Sequence, residues 1–405
     1  MTAARKKSLT FSVPPHQQRT VAWQQSQRAG TKEDRMTKDV TVNLPPLLAE
    51  MTLPGLDGMT EELRHAHNAI VETDARYGHA LSALNTFLIR TEGVASSKIE
   101  HVEASALDYA LALAGNHGNA SAIAMVDAGT AINELVSSSN STKGVTEQTV
   151  LAAHHTLMKS DPTEIHYAGK WRTMQNWIGG SNYSPRNALY VPPPPETVEA
   201  YVSDLLAFAR RQDIDPLVQA TLVHAQFESI HPFTDGNGRI GRALINAVLR
   251  YREVTSMTIV PLASALVANT ERYFDALGSY RQGDLAPLLK DFVNGARIAA
   301  EETQVTAGRL VSLPEVWHDR VFAREGAASR RLIDVLLDVQ TLTSQWVEKE
   351  LDLTPRSALG GIDELEEAGI VTEITGRKRN RVWVVSEVMA ELEDLNRRIG
   401  ERVNG

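Results

Sequence analysis

The sequence predicts a mainly α-helical protein that ends in a winged helix. Three observations carry this. From Thr60 to about Ala114, alanine and leucine are frequent and β-branched residues few, with Leu63, Ile70, Leu81, Leu84 and Leu88 supplying apolar faces. Helical patterning returns at 121–137, 146–159, 195–212 and 215–230, and again from Tyr251 to about Leu310. The last eighty or so residues read as three short helices, Arg330–Asp338, Thr343–Glu350 and Pro355–Ala368, followed by two strands, Ile370–Ile374 and Val382–Val385. The basic turn Gly376-Arg377-Lys378-Arg379-Asn380-Arg381 joins those strands as a wing.

Taken in order, the chain begins with a stretch that offers no core. Its first 35 residues carry seven basic and two acidic side chains and lack the apolar run of a secretory signal. Residues 1–40 are expected to be a disordered basic tail, or the true start is Met36. Leu44-Pro45-Pro46-Leu47 reads as an extended lead-in. A helical region covers 41–150 and a helical core 151–310. Within that core Trp177–Gly180 and Ala188–Val191, followed by four prolines, read as a hairpin stopped by polyproline. The winged helix occupies 327–405.

The composition narrows the chemistry. With 405 residues, two or three domains are expected. A net charge of −9 argues against coating nucleic acid through the overall field. There is no cysteine, which excludes disulfides, thiolate metal sites and cysteine nucleophiles and suits a reducing cytoplasm. No stretch approaches the roughly 20 apolar residues of a membrane-spanning helix.

The segment His231-Pro-Phe-Thr-Asp235-Gly236-Asn237-Gly238-Arg239-Ile-Gly-Arg242 is the most informative. Ile240, Ala243, Leu244, Ala247, Val248 and Tyr251 after it recur at helical spacing. The glycine-bearing turn therefore opens a helix, whose free N–H groups and dipole make an anion cradle. Arg239 and Arg242 project from one face of the first turn and suit a polyphosphate. Asp235 is an oxygen ligand suited to Mg²⁺ shared with phosphates. His231, ending the preceding helix, can take a proton from a hydroxyl. Gly236-x-Gly238-x-x-Gly241 also fits a dinucleotide fingerprint, but a helix and not a strand precedes it, so that match is rejected.

Position by position, His231–Arg242 resembles the HxFx(D/E)GNGRxxR signature of the Fic family, whose members transfer part of a nucleoside triphosphate to protein hydroxyls. The hairpin and polyproline region resembles that family's target-docking flap, and Gly169-Lys170-Trp171-Arg172 the usual lead into it. The resemblance spans roughly residues 40–390. It implies a Fic-type helical core with a β-hairpin flap, and a protein adenylyltransferase that uses ATP and Mg²⁺. His231 would be the general base, Asp235 the metal ligand, Gly236, Asn237 and Gly238 the phosphate cradle, and Arg239 and Arg242 the phosphate-neutralising pair. The substrate would be a Ser, Thr or Tyr hydroxyl of a protein, the chain itself included.

Ser96 and Glu100 lie four apart. Next to such a motif they resemble the family's inhibitory (S/T)xxxE(G/N) helix, which implies autoinhibition by Glu100 pairing with Arg242; His101 stands where that helix has Gly or Asn. In some relatives the same glutamate supports removal of AMP. Residues 327–405 hold eleven basic and fifteen acidic side chains. The winged helix is therefore expected to serve protein contacts or homodimerisation before DNA. A nucleotide-sensing DNA-binding regulator is the alternative from another class. Cytoplasmic placement without a membrane partner completes the expectation.

Overall fold

The computed structural model describes residues 11–405 except 26–28, 56–57, 79–81, 142–143 and 378. Residues 1–10 of the expected tail, Leu81 of the first helical stretch and Lys378 of the wing lie outside the described residues.

The expected tail holds the first departure from the sequence reading. Strand β1 (Gln17–Ala22) pairs antiparallel with β2 (Asp39–Leu44), in register from Gln17↔Leu44 to Ala22↔Asp39. Between them a short helix α1 (Lys32–Met36) is closed by a capping box in which Thr31 and Asp34 satisfy each other's backbone. The described residues of 11–40 thus include two paired strands and a helix, contrary to the expectation. The reason is that β1 has no apolar alternation, with Gln17, Gln18, Arg19 and Thr20 all exposed. Its register comes from β2, where Val40 and Val42 bury against Val191.

Helices dominate from there. They are α2 (Thr60–Tyr77), α3 (Ser82–Ile99), α4 (Ala106–Leu113), α5 (Ala120–Ser141) and α6 (Glu147–Met158). Next come α7 (Val198–Ala209), α8 (Pro216–Ile230), α9 (Asn237–Tyr251), α10 (Leu262–Val267), α11 (Thr270–Arg281) and α12 (Ala286–Arg320). The expected hairpin between α6 and α7 is reduced to one bridge, Ile178↔Tyr190, inside an otherwise irregular segment. Gly179 and Gly180 (φ +71° and +74°) take the chain out of the extended conformation directly after Ile178, so the ladder stops at that bridge.

The winged helix comprises α13 (Ala328–Ile333), β3 (Thr341–Thr343), α14 (Ser344–Glu350), α15 (Pro355–Glu367), β4 (Val371–Glu373) and β5 (Val382–Val385). Its sheet runs β3-β5-β4, so the wing carries a third strand beyond the expected two. Helix α16 (Ser386–Asn404) follows it.

Two compact units result: Met1–Arg64 with Ala131–Glu253 and Thr270–Val293, and His65–Thr130 with Val254–Asn269 and Asn294–Gly405. In the first, every α8 residue after Pro216 is buried. Helix α9 packs closely on α8 because Gly241 has no side chain; a Cβ there would lie 2.7 Å from Glu228 Oε1. In the second, α3 and α5 approach through Gly93, whose Cβ would lie 2.8 Å from Gly129 N. Glu92 on α3 accepts from the backbone N–H of Ala263 at 2.8 Å, capping α10. Helix α16 is held to α12 through Glu391, which accepts from Thr306 Oγ1 at 2.6 Å and from Arg309 Nη1 at 2.9 Å.

Candidate active site

The site lies in the first unit, where α8 ends and α9 begins. Asp215 caps the start of α8 with bonds to the N–H groups of Leu217 and Val218. The helix stops at His231, which adopts the left-handed conformation (φ 49°, ψ 60°) while its N–H still reaches Phe227 O at 2.9 Å. A left-handed non-glycine residue is costly, by about 1 kcal/mol or more, and persists only when its surroundings fix it. Here they do so on both sides.

On one side, Arg172 binds the turn. Its Nε donates to His231 O at 2.8 Å and its Nη2 to Pro193 O at 2.6 Å; its own backbone N–H reaches Pro232 O at 2.9 Å. Burial pulls this guanidinium down to about 10, with no carboxylate in its immediate bonds. Asn176 adds a bond from Nδ2 to Phe233 O at 2.8 Å. The hairpin segment is thereby tied to the α8–α9 turn by side chains from its first residues.

On the other side, Asn237 clamps the turn from within. Its Oδ1 accepts from Phe233 N at 2.8 Å and its Nδ2 donates to Phe233 O at 3.0 Å. Gly236 then turns left-handed (φ +74°) and α9 starts. A Cβ at Gly236 would meet Leu157 at 3.0 Å and Met158 Sδ at 3.1 Å, so space as well as φ demands glycine. The asparagine side chain is committed to the loop, which leaves its backbone N–H and those of Gly238 and Arg239 as the groups that face an anion.

The structure adds His154, a residue to which the sequence analysis assigns no role. It lies on α6, stacked on Phe233 with centroids 3.6 Å apart. Its Nδ1 accepts from Gly169 N at 2.9 Å, so Nε2 carries the hydrogen and donates to Asp235 O at 3.1 Å. Burial lowers its pKa to about 4, keeping it neutral. A signal existed: Val150, Ala153, His154, Leu157 and Met158 form one buried stripe at helical spacing.

The charged groups suit a polyphosphate. Arg239 and Arg242 are 6% and 1% exposed. Arg239 lies 3.7 Å from Asp235 Oδ2, touches Met158 Sδ at 3.8 Å, and its Nε is buried without a hydrogen-bond partner. A buried guanidinium this poorly satisfied favours an incoming anion. The Asp235 carboxylate is half exposed, and its Oδ1 accepts from Gly236 N at 2.6 Å. No cluster of three metal-ligating side chains occurs among the described residues. One exposed carboxylate next to a phosphate cradle nonetheless fits Mg²⁺, which takes one or two carboxylates together with phosphates. His231, Asp235, Gly236, Asn237, Gly238, Arg239 and Arg242 thus fall within one turn and one helix start. Ser96 and Glu100 belong to the second unit, where Ser96 is buried on α3 and Glu100 is exposed just past its end.

Similarity to known proteins covers the stretch of chain that contains this turn. Residues 144–249 match the Fic/DOC family, and residues 330–385 match an HTH DNA binding domain. A probable protein adenylyltransferase of Aquifex aeolicus is 33% identical over 104 residues, 25% of this chain and 30% of the relative. The protein adenylyltransferase fic-1 of Caenorhabditis elegans is 27% identical over 176 residues, 42% of this chain and 30% of the relative. The matches span about a third of the length of these relatives. A crystal structure of a Fic family protein from Desulfovibrio desulfuricans superposes with a TM-score of 0.51 at 20% identity, over 80% of this chain and 96% of that one. That likeness is one of fold.

Proposed function

Residues 144–249 of this chain are a Fic/DOC domain, and from that premise we propose that the protein is an adenylyltransferase that moves AMP from ATP to a hydroxyl of a protein. The observation that carries the reading is the α8–α9 turn, in which a histidine, a phosphate cradle and two buried arginines converge.

His231 takes the proton of a Ser, Thr or Tyr hydroxyl as its oxygen attacks the α-phosphorus. The new P–O bond forms as the bond to the β-phosphate bridging oxygen breaks, and pyrophosphate leaves. The N–H groups of Asn237, Gly238 and Arg239 bind phosphate oxygens, and Arg239 and Arg242 balance the charge of the leaving group. Asp235 would hold Mg²⁺, which neutralises phosphate charge when bound. Arg172, Asn176 and His154 act at one remove, fixing the turn in which His231 and the cradle stand.

Glu100 is the proposed brake. Its carboxylate competes with a phosphate for the Arg242 guanidinium, a bidentate pairing strong enough for that role. The Ser96–Glu100 spacing, which resembles the family's inhibitory helix, supports this. The whole is tested by transfer of label from α-labelled ATP, with Mg²⁺, into acid-precipitated protein. Label should appear with His231 intact and vanish in His231→Ala; equal labelling of the two overturns the reading.

A further inference from the structure

We propose that Glu164 and Thr234 are positioning residues for Asp235: their hydrogen bond sets the Asp235 carboxylate in place for a divalent cation. The inference rests on the role proposed for Asp235 and adds to it the device that aims its side chain.

Asp235 needs such a device. Its carboxylate is half exposed, with Oδ1 bound only to the neighbouring Gly236 N–H at 2.6 Å and Oδ2 at 3.7 Å from Arg239. Mg²⁺ held by one carboxylate together with phosphates demands near-octahedral geometry, so an ill-aimed ligand loses affinity. Groups that hydrogen-bond around a metal ligand supply that aim.

The chain around Asp235 is gripped by α6 and the turn that follows it. From α6, His154 Nε2 reaches Asp235 O at 3.1 Å. From the turn, Glu164 Oε2 accepts from Thr234 Oγ1 at 2.6 Å, and both side chains are partly buried. The turn itself is firmly built. Asp161 Oδ1 accepts from Thr163 N and Thr163 Oγ1, both at 2.7 Å, and from Glu164 N at 3.2 Å. Ile165 N reaches Asp161 O at 2.9 Å. Glu164 is therefore fixed through its own backbone before it binds Thr234, and a bond accepted by a carboxylate is of the stronger kind. The same turn stands beside the phosphate-binding pair, since Arg239 lies within electrostatic reach of Asp161. Glu164 acts through Thr234 and not on the cation.

The test is calorimetric titration of the full chain with α,β-methylene-ATP, whose α–β bridge does not break, in excess Mg²⁺ and again in EDTA. Every protein carries Glu100→Gly, so that the proposed brake does not compete for Arg242. The reference chain should bind the analogue more tightly with Mg²⁺, and Asp235→Ala should lose that gain. Thr234→Val and Glu164→Ala should each weaken binding in Mg²⁺ about tenfold, as loss of an outer partner of a metal ligand does, and leave binding in EDTA unchanged. The double variant should be no weaker than either single one, because all three remove the same bond. Thr234→Ser keeps the donor and Glu164→Gln keeps an acceptor, so each should rescue most of the affinity. Melting curves identify a variant that fails to fold, and the other member of the pair then carries the test. A Mg²⁺ gain that is lost in Asp235→Ala but kept in Thr234→Val and Glu164→Ala overturns the pair alone. Equal affinity of the reference chain in Mg²⁺ and EDTA overturns the role of Asp235 and the pair with it. Glu164→Gln as weak as Glu164→Ala would make charge the acting feature and overturn the positioning role.

Discussion

Arg172 Nε lies 2.8 Å from the carbonyl oxygen of His231, and the same guanidinium reaches Pro193 O at 2.6 Å. One buried side chain thus joins the start of the hairpin segment, its polyproline end and the left-handed residue that closes α8. This contact keeps the candidate base in a backbone conformation it would not adopt alone.

Arg172→Lys should therefore be a poor substitute. An ammonium has no planar fork with which to span carbonyls that far apart, and several would be left buried without a donor. We expect a loss of about 2–4 kcal/mol in urea unfolding. Transfer should fall at least about tenfold, because the turn is no longer held. ATP affinity should change little, since Arg239 and Arg242 are untouched. Unchanged transfer in a folded Arg172→Lys protein contradicts the bracing role.

His154 makes stability depend on pH with a definite sign. Its folded pKa of about 4 lies below the ordinary value of 6.5, because burial disfavours the cation. Its contribution is complete above pH 6.5 and is lost as pH falls towards 4, where the unfolded chain binds a proton that the folded chain refuses. The loss is about 3 kcal/mol over that window. His16, lowered to about 3 by burial and by Arg281, adds in the same direction. Urea midpoints at pH 7.5 and 5 should show the fall, and His154→Phe should flatten the slope by about 1.4 kcal/mol per pH unit. An unchanged slope in His154→Phe sinks the assignment.

His101 stands where the inhibitory helix of the resembling family carries Gly or Asn, and its backbone supplies the reason. Its φ is 58°, and the Val102 N–H turns back to Ser97 O at 3.0 Å, a left-handed helix end that suits glycine. His101→Gly should stabilise the second unit by about 1 kcal/mol, whereas His101→Ala should give no such gain. Thermal melts of the two variants side by side decide this.

The winged helix should bind duplex DNA poorly. The exposed face of α15 offers Arg356 against Asp363 and Glu367, and Arg381 of the wing is drawn to Glu366 at 3.4 Å and stacked over Trp383. Phosphate contacts dominate DNA affinity, and few basic groups remain for them. No retained band is expected in a mobility shift at low salt. A salt-sensitive shift would restore the regulator reading.

What the sequence made legible follows from how local each signal is. The α8–α9 turn was readable because a glycine-bearing turn and the apolar spacing of α9 sit side by side in the chain. The helices of the winged helix were readable for the same reason. The β1–β2 pair was not, since its register depends on backbone bonds between residues some twenty apart and β1 shows no apolar pattern. The hairpin is shorter than expected because β-forming residues around glycines suggest a ladder, whereas the left-handed Gly179 and Gly180 end it after a single bridge. His154 belongs to no motif, and only the helical spacing of its buried neighbours places it inside. Arg172 was noted only as a lead-in; that it spans carbonyls from both ends of the hairpin segment is visible only in three dimensions.

The central claim is most directly tested by intact-mass spectrometry of wild type, Glu100→Gly and His231→Ala after incubation with Mg²⁺ and ATP. A gain of one AMP per chain in Glu100→Gly, small in wild type and absent from His231→Ala, is the predicted result. A gain in His231→Ala equal to that in Glu100→Gly would contradict the base, and Glu100→Gly no more modified than wild type would contradict the brake.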